Sequence, residues 1–202
     1  MNKRHGNESR TNAFLKKLLC LGPHTCPWWF GYTFDNPLRR FIHRPKSILG
    51  ELVSPGDTAV DIGCGLGYFS IALADLVGPT GRVFAFDVQA QMVERARQRA
   101  ERQNLADRIH FRVCAPDHMG FDGTADFVLA FWMLHEVLDP EHLLTEVRSF
   151  LRPSGHLMIA EPLLHVSKRR FSTTIELAKR NGFRVAKGPE VRLSRSIVCS
   201  PS

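Results

Sequence analysis

Asp61 is followed by three glycines at alternate positions, Gly63, Gly65 and Gly67, in the run Asp-Ile-Gly-Cys-Gly-Leu-Gly. Glycine admits positive φ and lets a ligand approach the main chain closely, so a strand that breaks into such a loop can hold a ligand against its backbone. Asp87 lies 20 residues beyond Gly67 and closes the apolar run Val83–Phe86. A carboxylate at the end of a second strand can accept both hydroxyls of a ribose. The spacing G-x-G-x-G differs from the G-x-G-x-x-G of dinucleotide sites, which argues against a nicotinamide enzyme. Further along stand His135, Glu136, Glu161 and His165. Imidazole changes charge nearest neutral pH, which makes His135 the candidate base, with a structural role as the alternative, and Glu161 could orient a substrate or hydrogen-bond a loop. Near the N-terminus, Cys20, His24 and Cys26 combine donors suited to a soft metal or metalloid. Their Cys-x5-Cys spacing fits no common zinc pattern, and two reduced cysteines in an aromatic segment is the plain alternative.

The elements that position these residues follow from periodicity and punctuation. Ala59–Ile62 reads as a buried central strand, and Phe69–Val77 as the helix after the glycine loop, stopped by Gly78-Pro79. Val83–Phe86 is a second strand, 89–103 a helix rich in Ala, Arg, Glu and Gln, Ile109–Val113 a third strand and Ala125–Phe131 a fourth. Asp139-Pro140-Glu141 supplies an N-cap, an N1 proline and first-turn acids for a helix reaching Phe150. His156–Ala160, a helix over Phe171–Arg180 stopped by Asn181-Gly182, and strands at 183–187 and 192–199 complete the chain. Strands alternating with helices indicate a doubly wound α/β fold with a mainly parallel sheet.

Upstream, residues 1–12 lack periodicity and read as a tail, and 13–21 as a short basic amphipathic helix. Trp28, Trp29, Phe30, Tyr32 and Phe34 crowd a segment with two prolines, a composition suited to a lid over a ligand. Residues 37–53 read as a helix that Pro45 should kink or restart. The expected organisation is 1–51 as tail, aromatic lid and helix, followed by a catalytic domain over 52–202.

Composition narrows the class. A chain of 202 residues with 44% hydrophobic side chains can bury a full core, and no apolar run approaches the ~20 residues needed to span a bilayer. An odd count of five cysteines in no dense framework points to a reducing, cytoplasmic setting. The net charge of +7 is uneven: residues 1–17 carry five Lys/Arg against one Glu, or +4; residues 164–202 carry nine against two, or +7; the middle is −4. Such ends can attract an anionic partner or simply aid solubility.

From Leu52 to Cys199 the chain resembles the class I S-adenosylmethionine-dependent methyltransferases. Asp61–Gly67 resembles their first motif, Ala85-Phe86-Asp87-Val88 their acidic second-strand end, 131–140 the stretch after their fourth strand, and 146–155 the helix and turn before the fifth. The resemblance implies a seven-stranded sheet with a terminal antiparallel strand and S-adenosylmethionine as cofactor. It implies that Gly63, Cys64 and Gly65 pass the methionine part, with Gly67 ending the loop and Asp61 bracing it. Asp87 would bind the ribose, Val88 and Met92 would flank adenine, and Phe131 would sit beside the sulfonium. Where the family often has Gly-Asp-Ala after the third strand, this chain has Cys114-Ala115-Pro116-Asp117; Ala115 and Pro116 would border adenine.

No Asp/Asn-Pro-Pro-Tyr/Phe and no Pro-Cys pair follows the fourth strand, which turns the expectation from nucleic-acid bases to a small-molecule acceptor, possible anions included. An RNA or protein methyltransferase using the basic C-terminal region, and a catalytically silent cofactor-binding module, are the competing readings.

Overall fold

A computed structural model describes residues 42–202. The expected tail, basic helix, aromatic lid and Cys20/His24/Cys26 cluster lie outside the described residues. Seven strands form one sheet: β1 (Thr58–Ile62), β2 (Arg82–Asp87), β3 (Ile109–Val113), β4 (Ala125–Phe131), β5 (Leu151–Pro162), β6 (Phe183–Lys187) and β7 (Ser194–Pro201). Their order is β3-β2-β1-β4-β5-β7-β6. β7 runs antiparallel to both neighbours, and the other described pairings are parallel. The order reverses between β1 and β4, so a crevice opens at their carboxyl ends, where open α/β sheets bind ligands.

Period-two patterning fills two cores. Phe127, Leu129 and Phe131 of β4 face one way, with Leu73, Ala74 and Val77 of α2 (Tyr68–Val77) and Ala96 and Ala100 of α3 (Ala90–Glu101). Val60, Ile62, Val128 and Ala130 face the other, under α4 (Pro140–Phe150) and α5 (Lys168–Arg180). β1 is buried on both faces, as a central parallel strand must be.

The helix expected across 37–53 is interrupted. His43 and Arg44 are non-helical, and α1 (Pro45–Leu49) begins anew with the proline at N1, where its missing N–H costs nothing. Leu49 of this helix has no exposed surface, so the segment belongs to the core rather than to an appendage. α5 starts at Lys168, three residues earlier than periodicity suggests, because the Ser167 side chain caps it by accepting from the Arg170 N–H at 3.2 Å. β5 begins at Leu151, which pairs with Ala125 before a register shift around the exposed Arg152–Ser154. The β3–β4 connection, 114–124, contains no helix.

Candidate functional site

The loop after β1 and the end of β2 are tied together by one carboxylate. Asp87 Oδ2 accepts the Gly65 N–H and Oδ1 the Gln89 N–H, each at 2.9 Å. The strands deliver these groups in register: Ile62 pairs with Phe86, and the Cys64 N–H donates to the Phe86 carbonyl at 2.9 Å. Asp87 is buried, and that burial raises its pKa above the ordinary 3.8, opposed by the N–H groups of Gln89, Gly65 and Val88. Beneath it, buried Asp61 accepts the Ser70 hydroxyl at 2.5 Å, fastening β1 to α2.

The three glycines do different work. All adopt positive φ, at +68°, +53° and +75° for Gly63, Gly65 and Gly67. A Cβ on Gly67 would meet the Ala96 Cβ at 2.9 Å, and one on Gly63 the Met133 Cβ at 2.8 Å, so these two are dictated by packing. A Cβ on Gly65 would meet nothing within 4 Å. The position is open, and its N–H is held by the Asp87 carboxylate.

Next to it lies a cavity of about 660 Å³, within the usual range for small-molecule sites. Gly63, Asp87, Val88, Met92, Ala115 and Pro116, all singled out in the sequence, line it. Asp61, Cys64, Gly65 and Gly67 do not: Gly65 stands beside the cavity and reaches it only through its N–H to Asp87, and the Cys64 side chain is buried in the core, where burial above all raises its pKa well beyond 9.0, so its thiol is held neutral. Phe131 packs into the same core, its ring 4.2 Å from that of Phe69, and Trp132 and Met133 form the wall there instead.

Trp132 was not foreseen as a wall residue. Its φ is +60°, a conformation that is an outlier for so bulky a side chain. Its contacts among the described residues include its N–H to the Ala160 carbonyl at 2.8 Å, its indole N–H to the Ser194 hydroxyl at 2.7 Å, and the His43 ring edge-on at 4.8 Å. Glu146 of α4 was missed as well. It accepts the Met119 N–H at 3.0 Å and pairs with His118 at 2.9 Å, pinning the 115–119 loop that closes the far end of the cavity. Neither role leaves a trace in local spacing, because one depends on a backbone angle and the other on a contact across the fold.

His135 and Glu161 come together on the β4/β5 side. His135 sits in a 3-10 turn, Leu134–Glu136, and its Nδ1 lies 2.6 Å from Glu161 Oε2. Glu161 is 1% exposed, and its Oε1 has no hydrogen-bond partner among the described residues. An unmatched buried carboxylate oxygen is costly unless something fills the space beside it. Arg170 donates to the His135 carbonyl at 2.8 Å, and the His165 ring lies 5.6 Å from the His135 ring. The His165 pKa is lowered by burial first and by His135 second, with Glu161 opposing. His135 Nε2 is 3.9 Å from Glu136 Oε1, and Glu136 lines the cavity, whereas His135 and Glu161 lie behind its wall. No group of three or more His, Cys, Asp or Glu among the described residues has the geometry of a metal site.

The sequence profile of a methyltransferase domain family matches residues 53–186. The chain belongs to that family. Relatives of this chain include an uncharacterized 37.1 kDa transposon protein of Streptomyces fradiae, 39% identical over 58% of this chain and 34% of that protein. A demethylmenaquinone methyltransferase of Lactobacillus johnsonii is 34% identical over 54% of this chain and 45% of that one. The chain thus spans between about a third and a half of the curated relatives it matches. A solved S-adenosylmethionine-dependent methyltransferase from Aquifex aeolicus shares the fold, with TM-score 0.76 at 24% identity over 86% of this chain and 96% of that chain. S-Adenosylmethionine is the cofactor of this family, and the residues present suit it: a carboxylate with lone pairs to spare for ribose, an open position at Gly65, and an apolar wall of Val88 and Met92. Among the described residues, no helix is long and apolar enough to cross a membrane.

Proposed function

We propose that this protein transfers a methyl group from S-adenosylmethionine to a small-molecule acceptor bound on the β4/β5 side of the cavity. The observation that carries the reading is the clasp of Asp87 on the Gly65 N–H beside an empty Cβ position. The cofactor supplies an electrophilic methyl carbon, and the protein contributes alignment and exclusion of water, which together account for roughly 7–11 kcal/mol in favourable cases. Asp87 fixes the ribose end, Gly63 and Gly65 let the backbone approach, and Val88, Met92, Ala115 and Pro116 hold the adenine. Asp61 acts one step back, keeping the loop on α2 through Ser70.

Glu161 orients His135. With its Nδ1–H donated to Glu161 Oε2, the ring presents Nε2 as a proton acceptor on the Glu136 side, where an acceptor's acidic proton would be taken up. The relatives named demethylmenaquinone methyltransferases favour a small, largely apolar ring acceptor, and the apolar wall of Trp132, Met133, Val137 and Leu138 suits one. The test is methyl transfer from labelled cofactor to quinol-type acceptors by wild type and by Glu161→Gln. Loss of turnover with retained cofactor binding supports the assignment; unchanged turnover removes the pair from the chemistry.

A further inference from the structure

Among the described residues, the exposed large apolar side chains gather at one end of the fold. They are Val88, Val113, Leu138, Leu163, Leu164 and Leu193. Each stands at or just beyond the carboxyl end of the parallel strands; Leu193 joins them because β7 is antiparallel and starts there, Ser194 pairing with Pro162. Leu164 is 90% exposed and Leu193 57%. The turn 163–167 and the loop before β7 form one surface, joined by the Leu163 N–H to the Leu193 carbonyl at 2.9 Å and by Arg195 to the Val166 carbonyl at 2.8 Å.

The charge on this surface is mostly basic, with the exposed Glu190 at its margin in the loop before β7. Residues 162–175 and 191–202 contain Lys168, Arg169, Arg170, Arg192 and Arg195 and no Asp or Glu. Lys168, Arg169 and Arg192 are exposed and form no ion pair among the described residues. Lys168–Arg170 occupy the first turn of α5, which holds no acid. Cations are unfavourable at a helix N-terminus, so their placement works against local helix stability and calls for an external anion.

We propose that this surface docks on an anionic lipid bilayer, Leu163, Leu164 and Leu193 entering the interface while Lys168, Arg169 and Arg192 meet the headgroups. Aliphatic side chains between lysines and arginines match a phospholipid interface, where apolar insertion and charge attraction add. They give nothing to a nucleic acid, which rewards basic and aromatic side chains. The surface borders the His135–Glu161 pair, since Glu161 precedes Pro162 and Leu163 directly. The inference does not depend on the acceptor's identity.

The test is co-sedimentation of the full chain with vesicles of phosphatidylcholine alone or mixed with phosphatidylglycerol. Wild type is expected to bind the mixed vesicles, more weakly as salt rises. Lys168→Glu with Arg169→Glu should lower the partition coefficient at least about tenfold, while leaving the melting temperature equal or higher, because acids suit a first helical turn. Leu164→Asp should weaken binding without touching the fold, and all variants should keep S-adenosylmethionine affinity, which separates this test from that of the proposed activity. Absence of wild-type binding to the mixed vesicles overturns the proposal. So does binding indifferent to both the charge reversal and Leu164→Asp. Charge-dependent retention of an RNA oligonucleotide, with Leu164→Asp inert, would reassign the surface to nucleic acid.

Discussion

The two halves of the site are built by different means. On the β1/β2 side, the groups at the cavity are a glycine loop and one carboxylate, set by strand register and by φ at 63, 65 and 67. On the β4/β5 side the groups in and beside the cavity are side chains: a tryptophan in an unusual conformation in its wall, with an imidazole on a 3-10 turn and a buried glutamate behind Glu136. Backbone-built recognition tolerates few sequences, so the first half is confined to a narrow pattern that serves one constant ligand. Side chains can be exchanged without rebuilding the sheet, so the second half is free to follow the acceptor.

The contrast can be broken most strongly at Gly67. Gly67→Val should lower the melting temperature by many degrees and abolish cofactor binding, since its Cβ would sit 2.9 Å from the Ala96 Cβ at φ +75°. Gly65→Ala sharpens the same comparison: the space is open, so only the φ penalty of about 1–2 kcal/mol falls on stability, while cofactor affinity drops because the methyl fills that space. Thermal melts and calorimetry on the pair separate packing from binding.

Next in size is Asp87→Asn, which should weaken S-adenosylmethionine binding by about 10–100-fold, the usual worth of a hydrogen bond to a charged group. Asp87 also sets a pH dependence. Its pKa is raised above 3.8 in the fold, so ionisation is less favourable folded than unfolded, and protonation on acidification relieves that cost. Cofactor affinity, which uses the ionised form, should therefore begin to fall at a pH above the ordinary aspartate range, and the Asp87→Asn variant should lose that dependence.

On the acceptor side, Glu161→Gln should cut kcat by roughly 10²–10⁴-fold with cofactor affinity unchanged, if His135 moves a proton. The smallest effect is expected at Ser70→Ala. Removing the hydroxyl from buried Asp61 should cost about 1–3 kcal/mol of stability, read as a lower melting temperature, with catalysis intact at low temperature.

How much of this was legible beforehand follows the same division. The central strands could be read because parallel strands buried on both faces, such as Val60–Ile62 and Phe127–Phe131, must be apolar throughout, and the outer ones from short apolar runs between turn signals. The turn of Gly63 and Gly65 beside Asp87 could be read because a strand that breaks sharply into positive φ demands glycine. That Gly67 serves packing, that Phe131 faces the core, and that Trp132 holds φ +60° could not, since each is decided by a partner distant in sequence: Ala96, Phe69 and Ser194. The start of β5 at Leu151 escaped for a related reason, because its pairing with Ala125 is a tertiary contact. His135 and Glu161 were named singly, and their contact at 2.6 Å needed the β4/β5 register to appear.

Calorimetric titration of the purified protein with S-adenosylmethionine tests the central claim most directly. One site per chain is expected, strongly weakened in Asp87→Asn and Gly65→Ala and unaltered in Glu161→Gln. Binding of NAD in place of S-adenosylmethionine, or an equal loss in Glu161→Gln and Asp87→Asn, would contradict it.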